Sequence, residues 1–213
     1  MNSSIRRLRV AVADDERDTR QFFEEVLTQL GHEVTASCAT GRELIERCRA
    51  TSPDIIITDI KMPDMDGIEA VTEIGREQTV PVILVSAHHD AELLVRAGVG
   101  YIMGYLVKPV KPPDLHAALT MGLLRFEQFQ AVRKEAADLR QALEDRKIIE
   151  RAKGVLMELG GVSERDAFRR LQKMASDKNR KMLEVAQMIL TVEEAFRPAE
   201  GSQPTRGHAV AQK

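Results

Sequence analysis

The first half of the sequence predicts an α/β fold with a doubly wound, five-stranded parallel sheet. Short runs of apolar, β-branched residues alternate with segments whose apolar residues recur at helical spacing, which is the pattern of βα repetition. The five runs are LRVAVAD, EVTAS, DIIITD, PVILVS and YIMGYLVKP. Five strands at this spacing suit a flavodoxin-like sheet with helices on both faces. We therefore expect a ligand at the carboxyl ends of the strands, where the strand order reverses.

Composition limits the classes of protein that the chain can represent. Its 213 residues, 43% hydrophobic and 30% charged, suit one domain plus a smaller module. It has no apolar run approaching 18 residues and no charged-then-apolar leader, so we expect a cytoplasmic protein with no membrane partner. Cys38 and Cys48 lack metal-ligand spacing and are expected to be buried, reduced thiols.

A long helix is predicted after the fifth strand. Pro112 and Pro113 suit its first turn, and no proline follows until well beyond Leu159. Five apolar residues form a short heptad seam at spacings of 3, 4, 3 and 4: Phe129, Val132, Ala136, Leu139 and Leu143. We interpret residues 126–145 as a helical coiled-coil linker after a domain at 1–125. The alternative is that this stripe packs on its own domain.

A small three-helix domain is predicted at 146–196. The long helix continues to Gly160, and Ser163 with Asp166 resembles a capping box that opens a second helix. That helix is expected to turn four residues inward: Ala167, Phe168, Leu171 and Met174. A loop near SDKNRK precedes the last helix, and the tail at 197–213 lacks periodicity and is predicted to be disordered.

Charge is distributed unevenly between the two halves. Residues 1–125 carry 14 Lys and Arg against 19 Asp and Glu, whereas residues 146–192 carry 11 against 6. The basic excess of the back half indicates that only this half meets a polyanion.

Acidic residues lie where the predicted strands end. Asp14 and Asp15 close the first strand and Asp59 closes the third, so their carboxylates are expected to converge. Converging carboxylates need a cation, and oxygen ligands suit Mg²⁺ or another divalent cation such as Mn²⁺. Such a site could hold a phosphoryl donor while Asp59 attacks phosphorus, with Ser86 and Lys108 contacting the phosphoryl oxygens. Individually, an Asp pair is more often a helix N-cap, and a Ser or Lys at a strand end is usually solvated.

These motifs resemble the receiver domains of two-component response regulators. VADDE, DIIITDIKMPDMDG, VILVSA and YLVKP match the family in order and approximate spacing. The resemblance implies that Asp59 accepts phosphate from a sensor histidine kinase. It also implies that Asp15, Asp59 and the Lys61 carbonyl bind Mg²⁺, with Asp14 acting through water.

The same resemblance assigns roles near strand five. Ser86 and Lys108 would read the phosphoryl group, Tyr105 would be the aromatic switch, and the Lys108–Pro109 bond would be cis. The glycine-rich RAGVGYIMGYLVKP departs from the family pattern and leaves the register of this strand open, with Tyr101 as the reserve switch.

Residues 145–190 resemble the ANTAR domain, an RNA-binding module of transcription antiterminators. RAKGVLM, SERDAF and the Asn before the last helix carry the match. The resemblance implies that a dimer binds tandem RNA hairpins in leader transcripts and prevents terminator formation. We expect a non-enzymatic regulator, because this module has no Cys and no His before the tail.

Basic residues of this module are the candidate RNA contacts. Arg165, Arg169 and Lys173 share one helix face, and Lys147 and Arg151 share another. The further candidates are Lys153, Asn179, Arg180 and Lys181. The alternatives left open are a solvated charged face, a DNA-binding regulator, and a protein-interaction relay without nucleic acid. Phosphate on Asp59 is hypothesised to favour pairing of the 126–145 seam into a homodimer.

Overall fold

The computed structural model describes residues 6–87 and 101–196, and within them the predicted parallel sheet is present. Its strands are β1 (Arg9–Ala13), β2 (Glu33–Cys38), β3 (Ile55–Asp59), β4 (Val82–Ser86) and β5 (Ile102–Val107). All neighbours pair in parallel, in the order β2-β1-β3-β4-β5. The chain therefore runs outward in both directions from β1 and β3, as in a doubly wound sheet, and the predicted fold class is confirmed.

Helices cover both faces of this sheet. They are α1 (Arg17–Gln29), α2 (Gly41–Thr51), α3 (Gly67–Glu77) and the long α4 (Pro112–Gly160). Ile56 packs in a cluster with residues of α2 and α3, whereas Ile55 and Ile57 pack with residues of α1 and the start of α4. This alternation follows from the two-residue period of a strand, and burial on both faces explains the continuous apolar runs.

The register of β5 places the two tyrosines differently, while the choice of Tyr105 as the switch stays a prediction. Tyr105 lies inside the strand opposite Leu84 and packs partly buried against the cluster of α2 and α3. Tyr101 lies just before the strand, where its carbonyl accepts a hydrogen bond from the Val82 N–H at 2.9 Å. The helix expected between β4 and β5, and the tail at 197–213, lie outside the described residues.

Contacts divide the chain into Met1–Arg133 and Lys134–Lys213. In the second unit, the end of α4 packs with α5 (Glu164–Asp177) and α6 (Met182–Phe196). The buried members of this core are Ala152, Val155, Leu171, Ala175, Val185, Ala186 and Leu190. The sequence-based domain boundaries at 1–125, 126–145 and 146–196 stay predictions.

The ends of α5 show why it is bounded where it is. Ser163 Oγ accepts a hydrogen bond from the Asp166 N–H at 3.2 Å, so the predicted cap is present. At the other end, Asn179 has a positive φ of 50°, and the Arg180 N–H donates back to the Ala175 carbonyl at 2.9 Å. This is the Schellman pattern, in which an Asn can replace the usual glycine.

Phe168 does not point inward as expected. The buried positions of α5 are Ala167, Leu171 and Ala175, whereas Phe168 is 41% exposed. One residue corresponds to about 100° of rotation around a helix, so Phe168 falls at the margin of the buried face. The prediction that it belongs to the core was wrong. No helix in the described ranges is both long enough and apolar enough to cross a membrane.

Candidate functional site

The carboxyl edge of the sheet collects the predicted pocket residues. Asp14 directly follows β1, Asp59 ends β3, Ser86 ends β4 and Lys108 follows β5. Asp14 is fully buried, and Asp59 and Ser86 are nearly so, whereas Asp15 is exposed. Because all strands are parallel, their ends meet at one edge, and residues up to 94 positions apart in sequence become neighbours.

Lys108 connects the carboxylates of the pocket. Its Nζ donates a hydrogen bond to Asp59 Oδ2 at 2.6 Å, and it lies 2.8 Å from Asp14 Oδ2 and 3.4 Å from Glu16 Oε2. Carboxylate oxygens of Asp14, Asp15 and Asp59 lie within 4.8 Å of one another. The Lys108–Pro109 bond is cis, as the resemblance implies.

The electrostatics of the pocket favour binding of a further cation. Burial raises the pKa of Asp14, and this effect outweighs the opposing influence of the Lys108 ammonium and the Glu16 N–H; the Asp59 carboxylate adds a smaller rise. Burial alone would lower the pKa of Lys108, but its pairing with Asp14 and Asp59 outweighs this and raises it. One ammonium thus faces a group of acids whose combined charge exceeds its own.

The donor set fits a divalent cation. Although Lys108 approaches Asp14 Oδ2 as an ion pair, this buried oxygen accepts no hydrogen bond from any residue in the described ranges. A buried carboxylate oxygen beside two further carboxylates offers the all-oxygen environment that Mg²⁺ and Mn²⁺ prefer. The Lys61 N–H donates to Asp59 Oδ1 at 3.2 Å, which brings Lys61 to the site, and the role of its carbonyl stays a prediction.

Two features of this pocket were not anticipated from sequence. An ideal Cβ on Gly67 would lie 2.0 Å from the Asp59 carbonyl oxygen, so α3 can begin against Asp59 only if its first residue is glycine. Glu16, the third acid of VADDE, supplies another carboxylate to Lys108. Asp14 and Asp15 do not cap α1, whose N-cap residue is Glu16. That finding removes the simplest structural explanation of the Asp pair.

The basic candidates of the second unit differ in what they contact. Lys147 pairs with Glu144 at 2.7 Å, Arg151 lies 3.9 Å from Glu194, and Arg180 lies 3.8 Å from Glu184. Lys181 is exposed. Arg165, Arg169 and Lys173 are also exposed on one face of α5 and form no ion pair with any residue that the structure describes. Among the predicted RNA contacts, these three cations and Lys181 are therefore exposed and without a described acidic partner.

Two of the candidates hold structural positions. Lys153 is only 7% exposed, and its Nζ contacts Glu150 at 2.8 Å and Glu164 at 2.7 Å, which links α4 to α5. Asn179 occupies the left-handed position that ends α5. An Asn that ends a helix, such as Asn179, can be predicted from sequence. The burial of Lys153 cannot, because it depends on an ion pair with Glu164 of another helix.

Comparisons with known proteins match a domain family in each part of the chain. The model of the response regulator receiver domain matches residues 10–120, and that of the ANTAR domain matches residues 137–190. The transcriptional regulatory protein PdtaR of Mycobacterium tuberculosis is 37% identical over 182 residues, which cover 85% of this chain and 89% of that protein. The chemotaxis protein CheY of Thermotoga maritima is 32% identical over 112 residues, covering 52% of this chain and 93% of that protein.

Solved structures resemble the first unit. The signal receiver domain of the response regulator NarL from Mycobacterium tuberculosis has a TM-score of 0.51 and 27% identity, covering 54% of this chain and 94% of that one. The response regulator PhyR from Brucella abortus has a TM-score of 0.53 and 27% identity, covering 61% of this chain and 53% of that one.

Proposed function

The chain belongs to the response regulators that join a receiver domain to an ANTAR domain, and we propose that phosphorylation of Asp59 controls its binding to RNA hairpins as an antiterminator. The observation that carries the proposal is the meeting of Asp14, Asp15, Asp59 and Lys108 at one sheet edge, in the same chain as an exposed cationic helix face. The only chemistry proposed for the chain is phosphorylation and dephosphorylation of its own aspartate.

Asp59 is the phosphoacceptor in this proposal. An oxygen of its carboxylate bonds to phosphorus as the bond from phosphorus to the histidine of a sensor kinase breaks, and the histidine nitrogen leaves with the bonding electrons. Lys108, which already donates to Asp59 at 2.6 Å, balances the added negative charge, and Ser86 contacts a phosphoryl oxygen. Mg²⁺ or Mn²⁺ held by Asp14, Asp15, Asp59 and the Lys61 carbonyl would supply further charge stabilisation.

Incubation with a small-molecule phosphodonor tests the assignment directly. We expect the intact protein to gain the mass of one phosphoryl group in the presence of Mg²⁺, and the Asp59→Asn variant to gain none. Asp64→Asn is the matched control, because Asp64 is an exposed acid in the loop that follows β3. Equal labelling of wild type and Asp59→Asn would place the phosphoryl group elsewhere.

The RNA-binding surface is proposed to centre on Arg165, Arg169 and Lys173, because these cations are exposed and not neutralised by described acids. Arg169→Gln should weaken binding to paired RNA hairpins and reduce the dependence of log K on log salt by about 0.7 for each phosphate that the protein no longer neutralises. Arg140→Gln, at an exposed position of α4, is the control. Binding to duplex DNA, measured at the same salt concentration, should be weaker, and a preference for the duplex would contradict the proposal.

A homodimer through the 126–145 seam is proposed to link the two sites. Val132, Leu139 and Leu143 are 65%, 61% and 59% exposed, so these seam positions lack a covering partner among the described residues. Leu139→Lys should lower the oligomeric mass of the phosphorylated protein, and Ala137→Lys, at a neighbouring exposed position, should not. If the phosphorylated wild type and the Asp59→Asn variant, treated with the same phosphodonor, have equal RNA affinity and equal oligomeric mass, the proposed coupling is wrong.

A further inference from the structure

The exposed face of α5 contains an aromatic ring among its cations. Phe168 lies between Arg165 and Arg169, and Gln172 and Lys173 continue the same face one turn beyond Phe168 and Arg169. These five exposed residues occupy positions i, i+3, i+4, i+7 and i+8, which form one stripe of a helix. We call them the α5 stripe.

The ring of Phe168 contacts a buried lysine of α4. Lys153 Nζ lies 5.9 Å from its centroid, within the range of a cation–π contact. Lys153 is itself 7% exposed and fixed between Glu150 and Glu164. The charge of Lys153 is therefore paired with acids of the protein itself. Lys153 would influence a ligand indirectly, by orienting the Phe168 ring.

Single exposed apolar side chains are common and by themselves indicate nothing. The difference here is the combination, because this ring is 41% exposed, oriented by a buried ammonium, and flanked by three cations without described ion-pair partners. Cations, an amide and an aromatic face are the groups that bind the phosphates and unstacked bases of RNA loops. A phenylalanine also loses little conformational freedom on binding, since it has only two side-chain torsions.

We propose that Phe168 stacks on an unpaired loop base of the RNA hairpin, while Arg165, Arg169 and Lys173 contact the adjacent phosphates. The proposal rests on the RNA-binding function proposed above and assigns its base contact to one side chain. Lys153 is a positioning residue in this arrangement. This stacking contact does not discriminate between bases, because every base has a π-face.

The test uses the full chain, treated with phosphodonor, and an RNA hairpin carrying 2-aminopurine at one loop position at a time. Stacking on Phe168 should quench the probe at one position. Phe168→Leu should remove that quenching and weaken binding by about 5- to 150-fold, the range that base–aromatic stacking spans, with an unchanged salt dependence. Phe168→Trp, which keeps an aromatic ring, should retain both the quenching and the binding affinity. Phe196→Leu is the matched control, since it makes the same substitution at a phenylalanine that is 82% exposed.

The outcomes separate this inference from the function on which it rests. If Arg169→Gln weakens binding while Phe168→Leu binds and quenches like the wild type, Phe168 makes no base contact and the inference fails, but RNA binding stands. A second hairpin lacks the base at the quenched loop position. If Phe168→Leu weakens binding to this abasic hairpin as much as it weakens binding to the intact hairpin, the ring contacts something other than that base. If the wild type binds no hairpin, the proposed function itself fails.

Discussion

Replacing the buried carboxylate of Asp14 tests the metal site, because the change should act in opposite directions with and without metal. Asp14 is fully buried, and burial raises its pKa. Without a metal ion, the ionised form of Asp14 is therefore less favourable in the folded protein than in the unfolded chain, even with Lys108 beside it. Asp14→Asn removes the charge and keeps the Oδ1 acceptor that the Glu16 N–H uses at 3.0 Å.

The expected magnitudes follow from burial and mass action. Because burial raises the pKa of Asp14 in the folded protein, the metal-free variant should have a higher free energy of unfolding than the wild type. Mg²⁺ at ~100 times its Kd adds about 2.7 kcal/mol to the wild type. The variant, which lacks one carboxylate of the cluster, should gain much less. The stability order of the two proteins is therefore expected to reverse when Mg²⁺ replaces a chelator.

Tyrosine fluorescence during urea unfolding can report the first unit alone. The chain has two tyrosines and no tryptophan, and both Tyr101 and Tyr105 lie in that unit. Unfolding curves in EDTA and in MgCl₂ would be compared for wild type, Asp14→Asn and the control Asp64→Asn, which should follow the wild type in both. If Asp14→Asn is less stable than the wild type in EDTA, or responds equally to Mg²⁺, this account of the pocket is refuted.

Three further predictions concern glycines and thiols. Gly67→Ala should abolish phosphorylation and cost about 3 kcal/mol, because its Cβ would overlap the Asp59 carbonyl oxygen; chemical labelling and urea unfolding check this. Gly154→Ala should instead stabilise the second unit by about 1 kcal/mol, since nothing described lies within 4 Å of the new Cβ; a lower Tm by circular dichroism would contradict it. Burial raises the pKa of Cys38 and of Cys48 from 9.0 to about 12, so the folded thiols stay protonated while unfolded ones ionise. The free energy of unfolding should consequently fall as pH rises from about 9 towards 12. Cys48→Ala should reduce that fall in urea titrations, and an unchanged pH dependence would argue against it.

The sequence was sufficient for the fold and for the pocket because both depend on where strands end. Asp59 follows an uninterrupted β-branched run, so its place at the carboxyl edge is determined by the length of that run. Once the sheet is parallel, the residues that end β1, β4 and β5 must lie at the same edge. The close approach at Gly67 could not be predicted in this way, because it depends on where α3 sits in space.

The sequence was less informative about the second unit because helical periodicity locates a face only to within about one residue. Phe168 adjoins the buried Ala167 in sequence, yet the two differ in exposure. Lys153 was expected to be a surface cation, but Glu164, which belongs to another helix, lies 2.7 Å from its ammonium. Only the packing of α4 against α5 determines that the lysine turns inward.

The predicted heptad seam is shortened by a contact within the first unit. Phe129 packs edge-to-face on Tyr101 with ring centroids 6.0 Å apart, and Arg133 donates to the Tyr101 hydroxyl at 2.7 Å. Such an aromatic contact contributes about 0.5–1.5 kcal/mol beyond burial, so a dimer that used Phe129 would have to replace it. The seam positions left, from Val132 to Leu143, span fewer than two heptads, which is short for a stable coiled coil. In the coupling proposed above, β5 is the element that links the seam to the pocket, because Tyr101 directly precedes β5 and Lys108 directly follows it.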